Sequence, residues 1–226
     1  MINRRQVIQL SAGLLAYPSL GLHAAPVTSS SGTLPLIQRP IPSSGELLPV
    51  MGMGTARTFD TPGDPASLAK LTEVMKTFFD GGGKVIDSSP MYGSAETRVG
   101  DVLGAVQNAP PVFVATKVWT SGAERGIAQM EESARRMRVK AFDLIAVHNL
   151  MDWKIQIATL KRWKGEGRVR YIGITTSHGR DHEQLIDVMR SEPLDFVQFS
   201  YNIEDREAEQ VLLPLAQERR LSPLPS

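Results

Sequence analysis

Cysteine is absent from the sequence, which excludes a disulfide, a thiol nucleophile and a thiolate metal site in any compartment. Catalysis by this chain would have to run on oxygen and nitrogen groups. An excess of one charge is also missing. Lys and Arg total 25 against 24 Asp and Glu, so no broad field attracts nucleic acid or an anionic membrane, and nucleic-acid binding is not expected. Histidine is scarce, at four residues, and no carboxylates cluster with histidines at ligand spacing, which disfavours a metal-dependent barrel hydrolase. His178 and His182 are four apart, but the "GRD" between them lacks the Glu of H-E-x-x-H and Gly179 interrupts a helix, so no metal is expected. The apolar stretch from Val7 to Leu22 is broken by Ser11, Gly13 and Pro18, and is too short and too interrupted for a stable membrane span.

That stretch reads instead as an address. Arg4 and Arg5 precede Val7 and Ile8, and small residues Ala24 and Ala25 follow where a peptidase could cut. The pattern resembles a twin-arginine export signal and places the chain in the periplasm or outside the cell, the alternative being a cytoplasmic protein with a frayed terminus. Residues 1–25 are accordingly set aside as a signal and 26–35, "PVTSSSGTLP", as a polar linker. A folded domain is expected over 36–219 and an irregular tail over 220–226.

What is present is a rhythm, and at 42% hydrophobic content the chain can bury an ordinary core. "PLIQRPIPSSGELLPV" predicts a small hairpin. After it, "MGMGT" reads as a short strand, and "SLAKLTEVMKTFFDGGG" as a helix with Leu68, Leu71, Val74, Met75, Phe78 and Phe79 on a helical period, stopped by Gly81 to Gly83. Then "KVIDSS", "VFVATKV", "FDLIAVHNL", "RVRYIGITT" and "DFVQFSYN" each precede an amphipathic segment, which brings the count to six strand–helix units. Short, nearly uniform apolar strands alternating with helices predict a parallel sheet covered by helices. Either an open doubly wound sheet or a barrel fits the pattern. "MGMGTARTFDTPG" holds only the first two glycines of G-x-G-x-x-G and is not a dinucleotide fingerprint. Trp153 and Trp163 share a helix with Lys154, Lys161, Arg162 and Lys164, and a solvated face is expected there, as it is for Arg135, Arg136 and Arg138.

In a strand–helix barrel, chemistry gathers at the carboxyl ends of the strands. Those positions hold Asp87, Tyr92 in the following loop, Lys117 and His148. Each alone has an ordinary explanation, as a cap, a core aromatic, a solvated lysine or an interior histidine. Together they make a chemical set. An ammonium at the barrel mouth needs a carboxylate, and Asp87 is placed to supply one to Lys117. An ammonium beside a phenol stabilises the phenolate, making Tyr92 a general acid towards a developing alkoxide, with His148 donating a hydrogen bond to the substrate carbonyl oxygen. The set holds no nucleophile and no metal. It protonates an oxygen while the carbon is attacked, and hydride from a reduced nicotinamide is the natural attacker.

Asp87 with the "SSPMYG" that follows it, then "VATKV", "AVHN", "GIT" and "FVQFSYN", in that order, resemble the aldo-keto reductase family, from about Leu36 to about Arg219. The resemblance implies a (β/α)8 barrel of the TIM type that reduces small aldehydes or ketones with NADPH or, less often, NADH. It assigns Asp87, Tyr92, Lys117 and His148 to catalysis. It assigns Thr55, Asp87, Thr175, Thr176 and Gln198 to the cofactor, with Gln198 on the nicotinamide carboxamide and Thr55 near the ribose. Thr175 and Thr176 stand where the family often has Ser-Asn, so the Asn amide is lost at Thr176.

The family barrel has eight units and six are legible here, so an incomplete barrel with open edges and possible self-association is expected. The alternative function is an inactive reductase remnant serving as a binding protein. Export of a folded reductase would require the cofactor to leave with it.

Overall fold

The computed structural model of the chain describes residues 36–177 and 181–225. The segments read as signal and linker, and His178, lie outside the described residues.

Strands β1 (Gln38–Pro40) and β2 (Leu47–Pro49) form the expected antiparallel hairpin. Gly45 closes the turn at φ 78°, with its amide donating to the Ile41 carbonyl at 2.7 Å. The turn drives Ile41 under the sheet, where it is 1% exposed, a burial that contributes roughly 1.5–3 kcal/mol. The hairpin is anchored by Glu46, which accepts a 2.7 Å hydrogen bond from the Tyr171 hydroxyl and pairs with Arg170.

Seven parallel strands follow in sequence order: β3 (Gly52–Gly54), β4 (Val85–Asp87), β5 (Phe113–Val118), β6 (Phe142–His148), β7 (Val169–Thr175), β8 (Phe196–Phe199) and β9 (Ser222–Pro225). Helices α1 (Pro65–Asp80), α2 (Ala95–Ala105), α3 (Ala123–Met137), α4 (Trp153–Gly165), α5 (His182–Ser191) and α6 (Leu212–Glu218) cross between them, α6 preceded by a 3₁₀ turn at Glu207–Glu209. The sheet curls into part of a barrel, in agreement with the expected incomplete (β/α)8 fold. Among the described residues β3 and β9 are edges that do not pair with each other.

Side-chain alternation divides the sheet into two packed faces. Val85, Phe113, Ala115, Leu144, Tyr171 and Phe196 form the inner cluster with Ile41. The alternate residues, including Ile86, Val114, Ile145, Ile172 and Val197, pack against the helices. Both faces are buried, which explains the near-continuous apolar strands.

Two expectations are corrected. Within the tail expected to be irregular, Ser222–Pro225 is a strand that pairs in parallel with β8. The Ser222 amide donates to Asp195 O at 2.8 Å, and ladder alternation turns the amide positions of Pro223 and Pro225 to the outer edge. A missing N–H costs nothing there, so proline is compatible with the strand. Trp163, expected on a solvated face, is 2% exposed and belongs to the core. It follows Ile157 and Leu160 at helical spacing and carries the Arg168 guanidinium 3.6 Å from its ring centroid.

Candidate active site

The rim residues share one parity. Asp87 ends β4, two residues after inward Val85, and Lys117 lies two after Ala115. His148 ends β6, Thr175 ends β7 in register with it, and Gln198 is in register with Thr175. Parity thus turns Asp87, Lys117, His148, Thr175 and Gln198 to the same inner side at the carboxyl ends, with His148, Thr175 and Gln198 in one register row.

Lys117 Nζ lies 2.7 Å from Asp87 Oδ2 and donates to the Ser88 carbonyl oxygen at 2.9 Å. The lysine is 2% exposed, a position where an unpaired ammonium would be strongly disfavoured. Tyr92 sits in the β4–α2 loop, with its amide bonded to Ser89 O and its carbonyl accepting from Ala95 N. Gly93 turns the chain at φ 55°, and a Cβ there would lie 2.3 Å from an Asp60 carboxylate oxygen. Asp60 accepts hydrogen bonds from the amide and hydroxyl of Ser94, both at 2.9 Å. This turn presents the Tyr92 ring to Lys117, whose ammonium is 5.4 Å from the ring centroid, within cation–π range.

His148 is 8% exposed and its Nδ1 has no hydrogen-bond partner. Burial first, and then the Lys117 charge, hold its pKa at about 4, with Asp87 opposing weakly. The imidazole is therefore neutral at neutral pH and can donate one N–H. Trp119 meets it edge-on, with ring centroids 6.2 Å apart. Beyond His148 the backbone takes the left-handed conformation at Asn149, Leu150 and Asp152, strain of a kind that gathers at functional sites. A cavity of about 320 Å³ opens here, lined by Trp119, Asn149, Met151, Ser177 and Asp181. A larger apolar groove of about 520 Å³ lies at the opposite, amino end, beside Ile41, Leu48, Phe196 and Leu224, away from these polar groups.

The cofactor candidates divide. Gln198 is partly buried and in register with Thr175. The Thr175 hydroxyl makes one long contact, 3.4 Å to Thr176 O, so it retains capacity for a ligand. Thr176 is buried, with its amide donating to Gln198 O at 3.0 Å. Thr55 is fully buried, and its hydroxyl lies 3.0 Å from Asp87 O and 2.9 Å from Ser88 Oγ. The structure therefore gives Thr55 a strand-tying role behind Asp87 and does not bring it to an open ligand surface.

Residue-level reading missed Ser88, Trp119 and Glu96. Ser88 adjoins Asp87 and Trp119 lies two residues past Lys117, and that closeness was the available signal. Among the described residues no three His, Asp or Glu side chains gather as a metal site, and no helix is long and apolar enough to cross a membrane. His182 begins α5, with its Nδ1 3.6 Å from Glu207.

Comparison with known proteins gives a consistent picture. The sequence pattern of the Aldo/keto reductase family matches residues 50–222. Methylglyoxal reductase YeaE of Escherichia coli (strain K12) is 28% identical over 193 residues, covering 81% of this chain and 66% of the relative. NADPH-dependent codeinone reductase 1-1 of Papaver somniferum is 23% identical, over 67% of this chain and 54% of its own. The chain thus spans between half and two-thirds of the length of these curated relatives. Among solved structures, a thermostable aldo-keto reductase, Tm1743, in complex with the inhibitor epalrestat superposes with a TM-score of 0.72 at 24% identity, covering 84% of this chain and 72% of that one.

Proposed function

The chain belongs to the aldo/keto reductase family, and from that premise we propose that it reduces a small aldehyde or ketone to an alcohol using NADPH, with NADH as the less favoured donor. The observation that carries the proposal is the Lys117 ammonium held by Asp87 at 2.7 Å while facing the Tyr92 ring. Reduced nicotinamide supplies the hydride that reaches the carbonyl carbon. Tyr92 gives the proton to the carbonyl oxygen, so hydride and proton together complete the alcohol. Lys117 stabilises the phenolate left behind, and Asp87 holds that lysine in place. His148, neutral because it is buried beside an ammonium, donates an N–H to the carbonyl oxygen and orients it without competing for the proton.

The chain's own groups fit a nicotinamide. Gln198 offers an amide to a carboxamide, and the under-used Thr175 hydroxyl stands beside it in register. NADPH is favoured because a relative carries that dependence in its name. Methylglyoxal is the first carbonyl to try because YeaE is named for it.

We further propose export through Arg4 and Arg5, tested by fractionating cells that express the full chain and its Arg4→Lys, Arg5→Lys variant. Self-association is assigned to β3, because the β9 edge presents Pro223 and Pro225 without N–H donors. Sedimentation over a concentration series tests it.

The function itself is tested by titrating NADPH into the purified chain and following its fluorescence, with Tyr92→Phe and Gln198→Ala alongside. Saturable binding that Tyr92→Phe keeps and Gln198→Ala weakens supports the assignment. A folded chain that leaves NADPH fluorescence unchanged would count against it.

A further inference from the structure

Glu96 is a carboxylate at a helix start, a place where an acid is ordinarily solvated. It is the second residue of α2 and only 1% exposed. Its Oε1 accepts a 2.7 Å hydrogen bond from the Thr116 hydroxyl, and its Oε2 a 3.0 Å bond from Ser133 on α3. The Arg136 guanidinium is 3.7 Å away, and Glu132 adds a like charge from the same helix. Arg136, expected at an exposed helix end, is drawn inward and also pairs with Glu132 at 2.8 Å. Burial of a carboxylate carries a large desolvation cost, and three partners offset it only in part.

The location suggests why the site tolerates this cost. Thr116 directly precedes Lys117, and alternation along β5 sends Thr116 to the helix face and Lys117 to the rim. Glu96 lies four residues after Tyr92, across the tight turn at Gly93. One side chain therefore ties the helix that carries the tyrosine loop to the strand that carries the lysine. α2 has no side-chain N-cap hydrogen bond of its own, and its start is held from two sides, by Asp60 on Ser94 and by this cross-link.

We propose that Glu96 is a positioning residue that sets the separation of Tyr92 from Lys117. The inference rests on the reading of these two residues as the proton-donating pair. Ser133 fastens the same carboxylate to α3, outside that path, and supplies an internal control.

The test compares Thr116→Val with Ser133→Ala in the full chain. Each removes one hydroxyl donated to Glu96, and only Thr116 adjoins Lys117. Similar decreases in thermal midpoint are expected. With NADPH and a carbonyl substrate, Thr116→Val should lose about tenfold in kcat with NADPH affinity unchanged, and Ser133→Ala should stay within about twofold of wild type. Glu96→Gln keeps an acceptor towards Thr116 and should retain most of kcat, whereas Glu96→Ala should follow Thr116→Val. Losses in kcat that track the fall in thermal midpoint equally in Thr116→Val and Ser133→Ala would overturn the proposal. Should the wild-type chain reduce no carbonyl, the proposed function fails, and the positioning role is judged separately by NMR of ¹³Cζ-labelled tyrosine. The Tyr92 signal, identified by its loss in Tyr92→Phe, should move in Thr116→Val and not in Ser133→Ala. An unmoved signal in Thr116→Val would overturn the role of Glu96.

Discussion

Lys117 and Asp87 meet at 2.7 Å across β5 and β4, with the lysine buried and the aspartate a quarter exposed. The asymmetry makes their removal unequal. Asp87→Asn keeps an amide oxygen as acceptor but removes the charge that balances a buried ammonium, and should cost about 2–3 kcal/mol, near the lower end for a broken buried pair because Asp87 touches solvent. Lys117→Met replaces the charge with a chain of similar length and leaves a carboxylate that water can reach. It should destabilise less than Asp87→Asn while abolishing turnover as completely. Urea unfolding of the two variants checks the order, and equal losses would show that the pair is not held as described.

Acid should weaken the fold through His148. Its folded pKa of about 4 lies below the ordinary 6.5, so between those values the unfolded chain takes up a proton that the folded chain refuses. Stability therefore falls as pH falls through that window. His148→Gln removes the contribution, and the stability difference between wild type and variant should shift by on the order of 2 kcal/mol in favour of the variant from pH 7 to pH 4.5. Parallel curves would contradict the burial of a neutral imidazole.

Glu96 has the opposite sign. Burial raises its pKa above the ordinary carboxylate value despite the Thr116 and Ser133 bonds and the Arg136 charge. A group with a raised folded pKa contributes stability at low pH that is lost as pH rises through that pKa. Glu96→Gln never carries the charge, so its thermal midpoint relative to wild type should climb as pH rises from the acid range to 7. A relative midpoint that falls over that range would show the charged form to be the favoured one.

Gly100 is where α2 lies against the end of α3. A Cβ there would come 2.2 Å from the Arg136 carbonyl oxygen, which is backbone and has little freedom to yield. Gly100→Ala should cost about 1–3 kcal/mol by forcing the helices apart, and thermal unfolding reads the loss. An unchanged midpoint would mean that the two helices are not in contact at this point.

Much of the fold was legible because β5, β6 and β7 are apolar over most of their length, and a parallel sheet covered on both faces needs that. The rim set followed from the same parity, since Asp87, Lys117 and His148 stand two residues beyond inward apolar positions. What local pattern could not reveal depended on distant partners. "SPLP" reads as loop by its prolines and becomes a strand because β8 supplies one side of the ladder and the other side needs no N–H. Trp163 shares a helix with four basic residues and is core because the sheet covers its face of the helix. Thr55 occupies the position the family resemblance assigns to the cofactor, yet its hydroxyl is taken up by Asp87 and Ser88. The burial of Glu96 has no local signal, because the hydroxyls that hold it, Thr116 and Ser133, are distant in the chain.

The central claim is that Tyr92, facing an ammonium held by Asp87, gives the proton in carbonyl reduction. Its most direct test is the rate of NADPH oxidation by the purified chain with methylglyoxal, measured beside Tyr92→Phe at equal NADPH saturation. The account predicts saturable, carbonyl-dependent oxidation that falls by about 10²–10⁴-fold in the variant while NADPH binding persists. Turnover that Tyr92→Phe retains would contradict it.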